Sequence, residues 1–231
     1  MPTGLYGKLP AKRDFVAANV SRRLLEVWEP WLQASVSTSR QMLGEGWREA
    51  YNRAPIWRFW LGAGFCGEAV IGALMASIDG VGRHFPLTVF ATGDGQALPP
   101  PEIDPNNAWC EAAESLLLGA LDHDTDYEQF AAAVLAMAPP ALLPSASEVS
   151  GITQLAEGIV VVRDFGDELA VAFRAARRFG HRETFASQSF WWTIGGEDFP
   201  PAALLAIGLP PATRFADILT GSFAAPPAAP D

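Results

Sequence analysis

The sequence predicts an α/β protein with a mixed, largely antiparallel sheet and helices packed on it. Three observations carry this. APIWRFWLGAG (54–64) and CGEAVIGALMASID (66–79) form a pair of apolar arms around a glycine-rich turn, with β-branched and aromatic residues favouring strand in the first. Other segments repeat their apolar residues at helical spacing. No repeated strand–helix alternation of the kind that builds a parallel sheet runs through the chain.

In order, residues 4–9 read as a short first strand. Leu24, Val27, Trp28, Trp31 and Leu32 then keep the i, i+3, i+4, i+7, i+8 spacing of one helical face. Pro30 falls inside that pattern, so the helix is expected either to kink there or to restart with Pro30 in its first turn. The arm VIGALMAS (70–77) reads as strand or helix, whereas FPLTVFAT (85–92) is a continuous apolar run and reads as a buried strand. After the loop 93–105, Asp104–Pro105 marks a helix start, with Trp109, Ala112, Ala113, Leu116, Leu117 and Leu121 as its buried face. Thr125 and Glu128 make a capping box for a further helix ending before Pro139. Leu169, Ala172, Phe173 and Ala176 give 168–179 a helical pattern. Segments 187–195 and 203–210 read as strands and 212–221 as a short helix. One domain over 1–222 is expected, with a candidate hinge at 139–147 and a disordered Pro/Ala tail at 223–231.

Composition narrows the function. With 231 residues, 49% of them hydrophobic, the chain can bury a sizeable core. A net charge of −10 repels phosphate backbones and anionic lipid, which argues against nucleic acid and membrane surfaces as partners. Two cysteines, Cys66 and Cys110, make no disulfide framework and are expected as reduced thiols. The N-terminus has no basic region followed by an apolar core, so no signal peptide is expected. The charge-free stretch 129–147 is broken by Pro139, Pro140 and Pro144 and reads as a helix end and loop, not a span. These readings place the protein in the cytoplasm. The eight tryptophans are assigned mainly to a large core, with an aromatic binding surface as the alternative.

Several motifs look enzyme-like, and each has a plainer reading. GLYGKLPAKRDFV (4–16) holds both lysines, Lys8 and Lys12, but Leu9 stands where a P-loop needs a hydroxyl and Pro10 removes an amide. The plainer reading is a surface turn with Lys8, Lys12, Arg13 and Asp14 in solvent; an intermediate one makes Asp14 an internal partner for an arginine. GAGFCG (62–67) matches the dinucleotide fingerprint letter for letter, with Asp94 as the ribose acid, yet Glu68 would repel a pyrophosphate and a hairpin turn explains the glycines equally. DHDTDYE (122–128) lacks the glycine and glutamate of a calcium loop. His84, His123 and His181 are too scattered for a zinc site, and a Cys66–His84 pair stays open. No metal and no cofactor are expected.

Two charged features remain. Asp79 and Arg83 flank the sharply shaped loop 77–87, either as an ion pair holding it or with Arg83 presented to a partner's carboxylate or phosphate. Arg174, Arg177, Arg178, His181 and Arg182 make a basic stripe, either a solvated helix face or a docking patch for an acidic partner.

Taken in order, the motifs form a set: G-L-Y-G-K-L-P (4–10) with D-F-V (14–16), Trp28 and Trp31, P-x-W-R-F (55–59), S-x-D-x-V-G-R-x-F-P-L (77–87), S-x-W-W (189–192) and a final G-L-P (208–210). In this the chain resembles the TagF/ImpM family of type VI secretion-associated proteins, over about residues 4–221. Departures are small: Leu5 stands where Phe or Trp is frequent, and Lys12 where a small residue often sits. The resemblance implies a single-domain three-layer α-β-α sandwich and a cytoplasmic, non-enzymatic bacterial regulator. It would repress assembly of the secretion system by binding its forkhead-associated scaffold protein. Within the signature motifs, Lys8, Asp14, Asp79, Arg83, Ser189 and Trp192 are the candidate partner-binding or signature-face residues. Asp14, Asp79 and Arg83 are expected to lie together. The alternative is a dinucleotide-binding enzyme using loop 62–67.

Overall fold

The computed structural model describes residues 3–93, 98–122, 125–142, 151–155, 159–163, 169–196 and 198–223. Asp94, His123, Asp124, most of the candidate hinge and the tail 224–231 lie outside them.

The alternation of side chains along the strands creates two cores, one on each face of a single sheet. The strands are β1 (Thr3–Gly7), β2 (Val16–Ala18), β3 (Trp57–Leu61), β4 (Val70–Met75), β5 (Leu87–Thr92), β8 (Gln188–Thr193) and β9 (Ala202–Ile207). They pair in the order β2-β1-β5-β4-β3-β8-β9, and each of these pairings is antiparallel. On β3, Trp57, Phe59 and Leu61 face one core, while Arg58 and Trp60 face the other. A separate ribbon joins β6 (Ile152–Gln154) to β7 (Val160–Val162). The segment 70–77, open in sequence, is strand: Val70 and Leu74 face one core, Ile71, Ala73 and Met75 the other.

The first face is covered by α1 (Arg22–Leu43), α2 (Trp47–Arg53) and α7 (Phe215–Thr220). Ser21 caps α1 by accepting from the Leu24 amide. Pro30 neither ends nor restarts this helix, which is assigned as one element with Pro30 at an exposed position. An interior proline costs about 3 kcal/mol. Here the buried stripe Leu24, Trp28, Leu32, Val36 runs on through it, and the packing of that stripe offsets the lost hydrogen bond. Trp28 stacks on Phe59 at 4.5 Å and on Trp191 at 5.9 Å, and Trp31 meets Trp191 at 5.1 Å. The tryptophans are thus mainly core: Trp28, Trp47, Trp57, Trp60, Trp109 and Trp191 are buried.

The second face is covered by α3 (Asn107–Gly119) and α4 (Tyr127–Leu135). The chain is the three-layer α-β-α sandwich expected. Both helix starts differ from the sequence reading. Asn106, in the left-handed region at φ 50°, precedes α3, and Asp104 instead accepts from the Asn106 amide in a turn. Asp126, not Thr125, caps α4, accepting from the Glu128 and Gln129 amides, while Thr125 Oγ1 donates to the Gly119 carbonyl. Cys110 is buried on α3, whereas Ala112 and Leu121 are exposed. On α5 (Leu169–Phe179) Ala172 is buried but Leu169 and Phe173 are exposed. The predicted basic stripe is divided: Arg177 pairs with Glu102 at 3.0 Å, and His181, on α6 (His181–Thr184), is buried with Nδ1 against the Arg178 carbonyl.

Candidate functional site

Loop 8–15 leaves β1 and loop 76–86 joins β4 to β5, so the sheet's antiparallel order delivers both to the same end. At their junction Asp79, 1% exposed, accepts four hydrogen bonds. Oδ2 takes the Lys8 ammonium at 2.8 Å and the Arg83 Nε at 2.6 Å. Oδ1 takes the Val81 amide at 3.1 Å and the Arg83 amide at 2.9 Å. Burial alone would oppose ionisation of Asp79, but Lys8, Arg83 and the two amides outweigh it and hold the carboxyl well below its usual range. Gly82, at φ +82°, donates its amide to the Asp79 carbonyl and closes the turn.

Around this pair the loops are laced together. Ser77 Oγ donates to the Lys8 carbonyl at 2.8 Å, the Gly80 amide to the Lys12 carbonyl at 2.7 Å, and Arg83 Nη2 to the Arg13 carbonyl. Lys8 is therefore not in solvent, contrary to the surface-turn reading, but 6% exposed and beneath the Phe15 ring. Arg83 meets Asp79 through Nε alone and spends Nη2 on the Arg13 carbonyl, so it holds both loops while its side chain stays about half exposed. Asp14 lies 3.8 Å from Arg83 but is almost fully exposed, so it is a rim residue and not an internal partner.

The expected trio Asp14, Asp79 and Arg83 is thus brought together, with Lys8. Ser189 and Trp192 are not part of it. They sit on β8, four strand spacings from β1, or about 19 Å. Ser189 is fully buried, donating to the Gly208 carbonyl at 2.6 Å and accepting from Trp191 Nε1 at 3.0 Å. Trp192 is half-buried against the α3–α4 core.

Sequence reasoning missed a second buried ion pair. Arg58 reaches from β3 to Glu114 on α3 through two parallel bonds, Nε–Oε1 at 2.7 Å and Nη2–Oε2 at 2.8 Å, and touches Asn107. The available signal was one arginine inside the apolar run WRFW: a charge on a strand buried on both faces needs a partner.

The fingerprint GAGFCG is the turn of a hairpin. β4 stands where a dinucleotide site requires a helix, so no helix N-terminus meets the glycines. Gly62 and Gly64 donate to the Gln188 and Ala186 carbonyls, and a Cβ on Gly62 would lie 2.0 Å from the Phe185 carbonyl oxygen. These glycines admit a neighbouring backbone, not a phosphate. Cys66 bonds the Glu68 carbonyl, while His84 packs edge-on to Trp47 and Tyr51, so the Cys66–His84 pair is not formed. Both cysteines are free. Among the described residues no histidine, cysteine and carboxylate group is placed to hold a metal, and no helix is long and apolar enough to cross a membrane.

Fold and site define a sandwich whose signature polar residues tie loops together at one end of its sheet. Residues 4–137 match the TagF N-terminal domain, described as type VI secretion system-associated, and the chain belongs to that family. It is similar to PA0076 of Pseudomonas aeruginosa PAO1, known from a crystal structure, with 33% identity, a TM-score of 0.81 and 99% of each chain covered. No curated protein matches the chain.

Proposed function

We propose that this protein is a non-catalytic regulator that holds back assembly of a type VI secretion system by binding the system's forkhead-associated scaffold protein in the cytoplasm. Membership of the TagF family carries the reading. The chemistry of the signature residues supports it. Asp79 has both oxygens engaged, and Ser77 and Ser189 donate to backbone carbonyls. A general base needs a free lone pair and a nucleophile needs a base beside it, and these three groups have neither. Calorimetry of the purified protein with the scaffold from the same organism tests the proposal. Saturable one-to-one binding without nucleotide is expected. Absence of binding, with heat from a nicotinamide or flavin nucleotide alone, would overturn it.

A further inference from the structure

We infer that the end of the molecule built from loops 8–15 and 76–86 and the adjoining Arg40–Trp47 corner docks an acidic segment of a partner protein, an apolar side chain flanked by carboxylates. For the partner's place in the secretion apparatus this rests on the reading above; the chemistry of the surface rests on geometry.

The surface is continuous. Gly80 and Arg83 bond the backbone of Lys12 and Arg13, and Arg40 bonds the His84 carbonyl at 3.5 Å while covering Trp47 at 4.2 Å. Lys12, Arg13, Arg40 and Arg83 are all exposed here, with the Lys12 ammonium 4.7 Å above the Tyr127 ring of α4. Facing them, Asp14 lies at the rim, Glu45 is exposed in the Arg40–Trp47 corner beside the exposed Arg48, Glu29 neighbours the Tyr6 hydroxyl, and Asp79 is buried between Lys8 and Arg83. The whole chain carries −10 with sixteen basic residues. A positive pole on so acidic a protein is a directional charge asymmetry, which steers an acidic partner to one end and repels it elsewhere. Burial first, then Arg40 and Arg48, push the His84 imidazolium toward deprotonation, with Asp79 opposing. On the same two loops Phe15, Ile78 and Val81 are 46%, 37% and 57% exposed, adding apolar surface beside the cations. The Lys8–Asp79 pair beneath fixes both loops, so the surface is formed before the partner arrives.

The test uses a labelled peptide of one leucine with three glutamates on each side, read by fluorescence anisotropy, and the forkhead-associated scaffold in parallel. The variants are Lys12→Glu/Arg13→Glu and Val81→Ser, with Arg174→Glu/Arg178→Glu on α5 as a control of equal charge. Wild type should bind the peptide saturably and lose affinity as salt rises. The Lys12/Arg13 variant should bind about tenfold more weakly, Val81→Ser more weakly, and the control like wild type. No peptide binding, equal binding by wild type and the Lys12/Arg13 variant, or an equal loss in the control would overturn the inference. If that variant melts early, Lys12→Ser/Arg13→Ser is read in its place. Scaffold bound equally by wild type and variant overturns the surface but leaves the regulator. Peptide discrimination without scaffold binding supports the surface and removes the scaffold. Self-association abolished by the same substitutions makes a second copy the occupant and overturns the acidic-partner assignment.

Discussion

The Lys8 ammonium lies 2.8 Å from the Asp79 carboxylate, although 71 positions separate the two residues, and both are buried. Replacing Asp79 by Asn keeps the shape but leaves Lys8 buried and unpaired, which should cost about 3 kcal/mol in urea unfolding at pH 7. Asp79 has a folded-state pKa depressed below its unfolded value of about 3.9. Its contribution is therefore full above that pH and is lost as pH falls further. The stability gap between wild type and Asp79→Asn should narrow below about pH 4. A constant gap from pH 7 to pH 3 would show that the charge is not the cause. Arg83→Ala, at a half-exposed partner, should cost about 1 kcal/mol or less.

Arg58 and Glu114 join β3 to α3 through two parallel bonds in a nearly closed site. Glu114→Leu alone strands a buried guanidinium and should cost about 3–5 kcal/mol. Arg58→Met with Glu114→Leu should recover much of that loss, since a packed apolar pair carries no desolvation penalty. The double-mutant cycle measures it. If the double variant were as unstable as the sum of the singles, the pair would not act as a unit.

Gly62 separates the hairpin from the fingerprint reading. A Cβ there meets the Phe185 and Ala186 carbonyl oxygens at 2.0 and 2.4 Å. Gly62→Ala should lower the melting temperature in thermal denaturation, by roughly the 1–3 kcal/mol of an overpacked site. Wild type should show no thermal shift with nicotinamide or flavin nucleotides. A shift present in wild type and lost in Gly62→Ala would return the loop to nucleotide binding.

The thiols should be inert in the native protein. Burial pushes Cys110 up to about 12, with Arg58 opposing weakly, and burial also raises Cys66. At pH 8 neither forms much thiolate, so a thiol-exchange reagent should titrate both only after denaturant is added. Fast labelling of one thiol in the folded state would place it at the surface.

By itself the sequence determined the elements whose cause is local. β-Branched and aromatic residues made the strand around 57–61, a continuous apolar run made that at 87–92, the 3.6-residue stripe made α1, and α4 ended ahead of Pro139. The ordered motifs determined the family. Helix starts were one or two residues off, because Asp104 and Thr125 are capping types too but spend their oxygens on a turn and on the Gly119 carbonyl, leaving Asn106 and Asp126 to precede the helices. Tertiary structure decided what depends on distant partners. Pro30 stays helical because the buried stripe on both sides of it is held by the sheet. Lys8 is buried because the sheet's antiparallel order sets loop 8–15 against loop 76–86. Arg58 finds Glu114 across the layer between strand and helix, and Ser189 and Trp192 part from the other signature residues because four strand spacings lie between. Spacing along the chain carries none of this, since which loops share an end and which face a charge meets are set by strand order and layer packing.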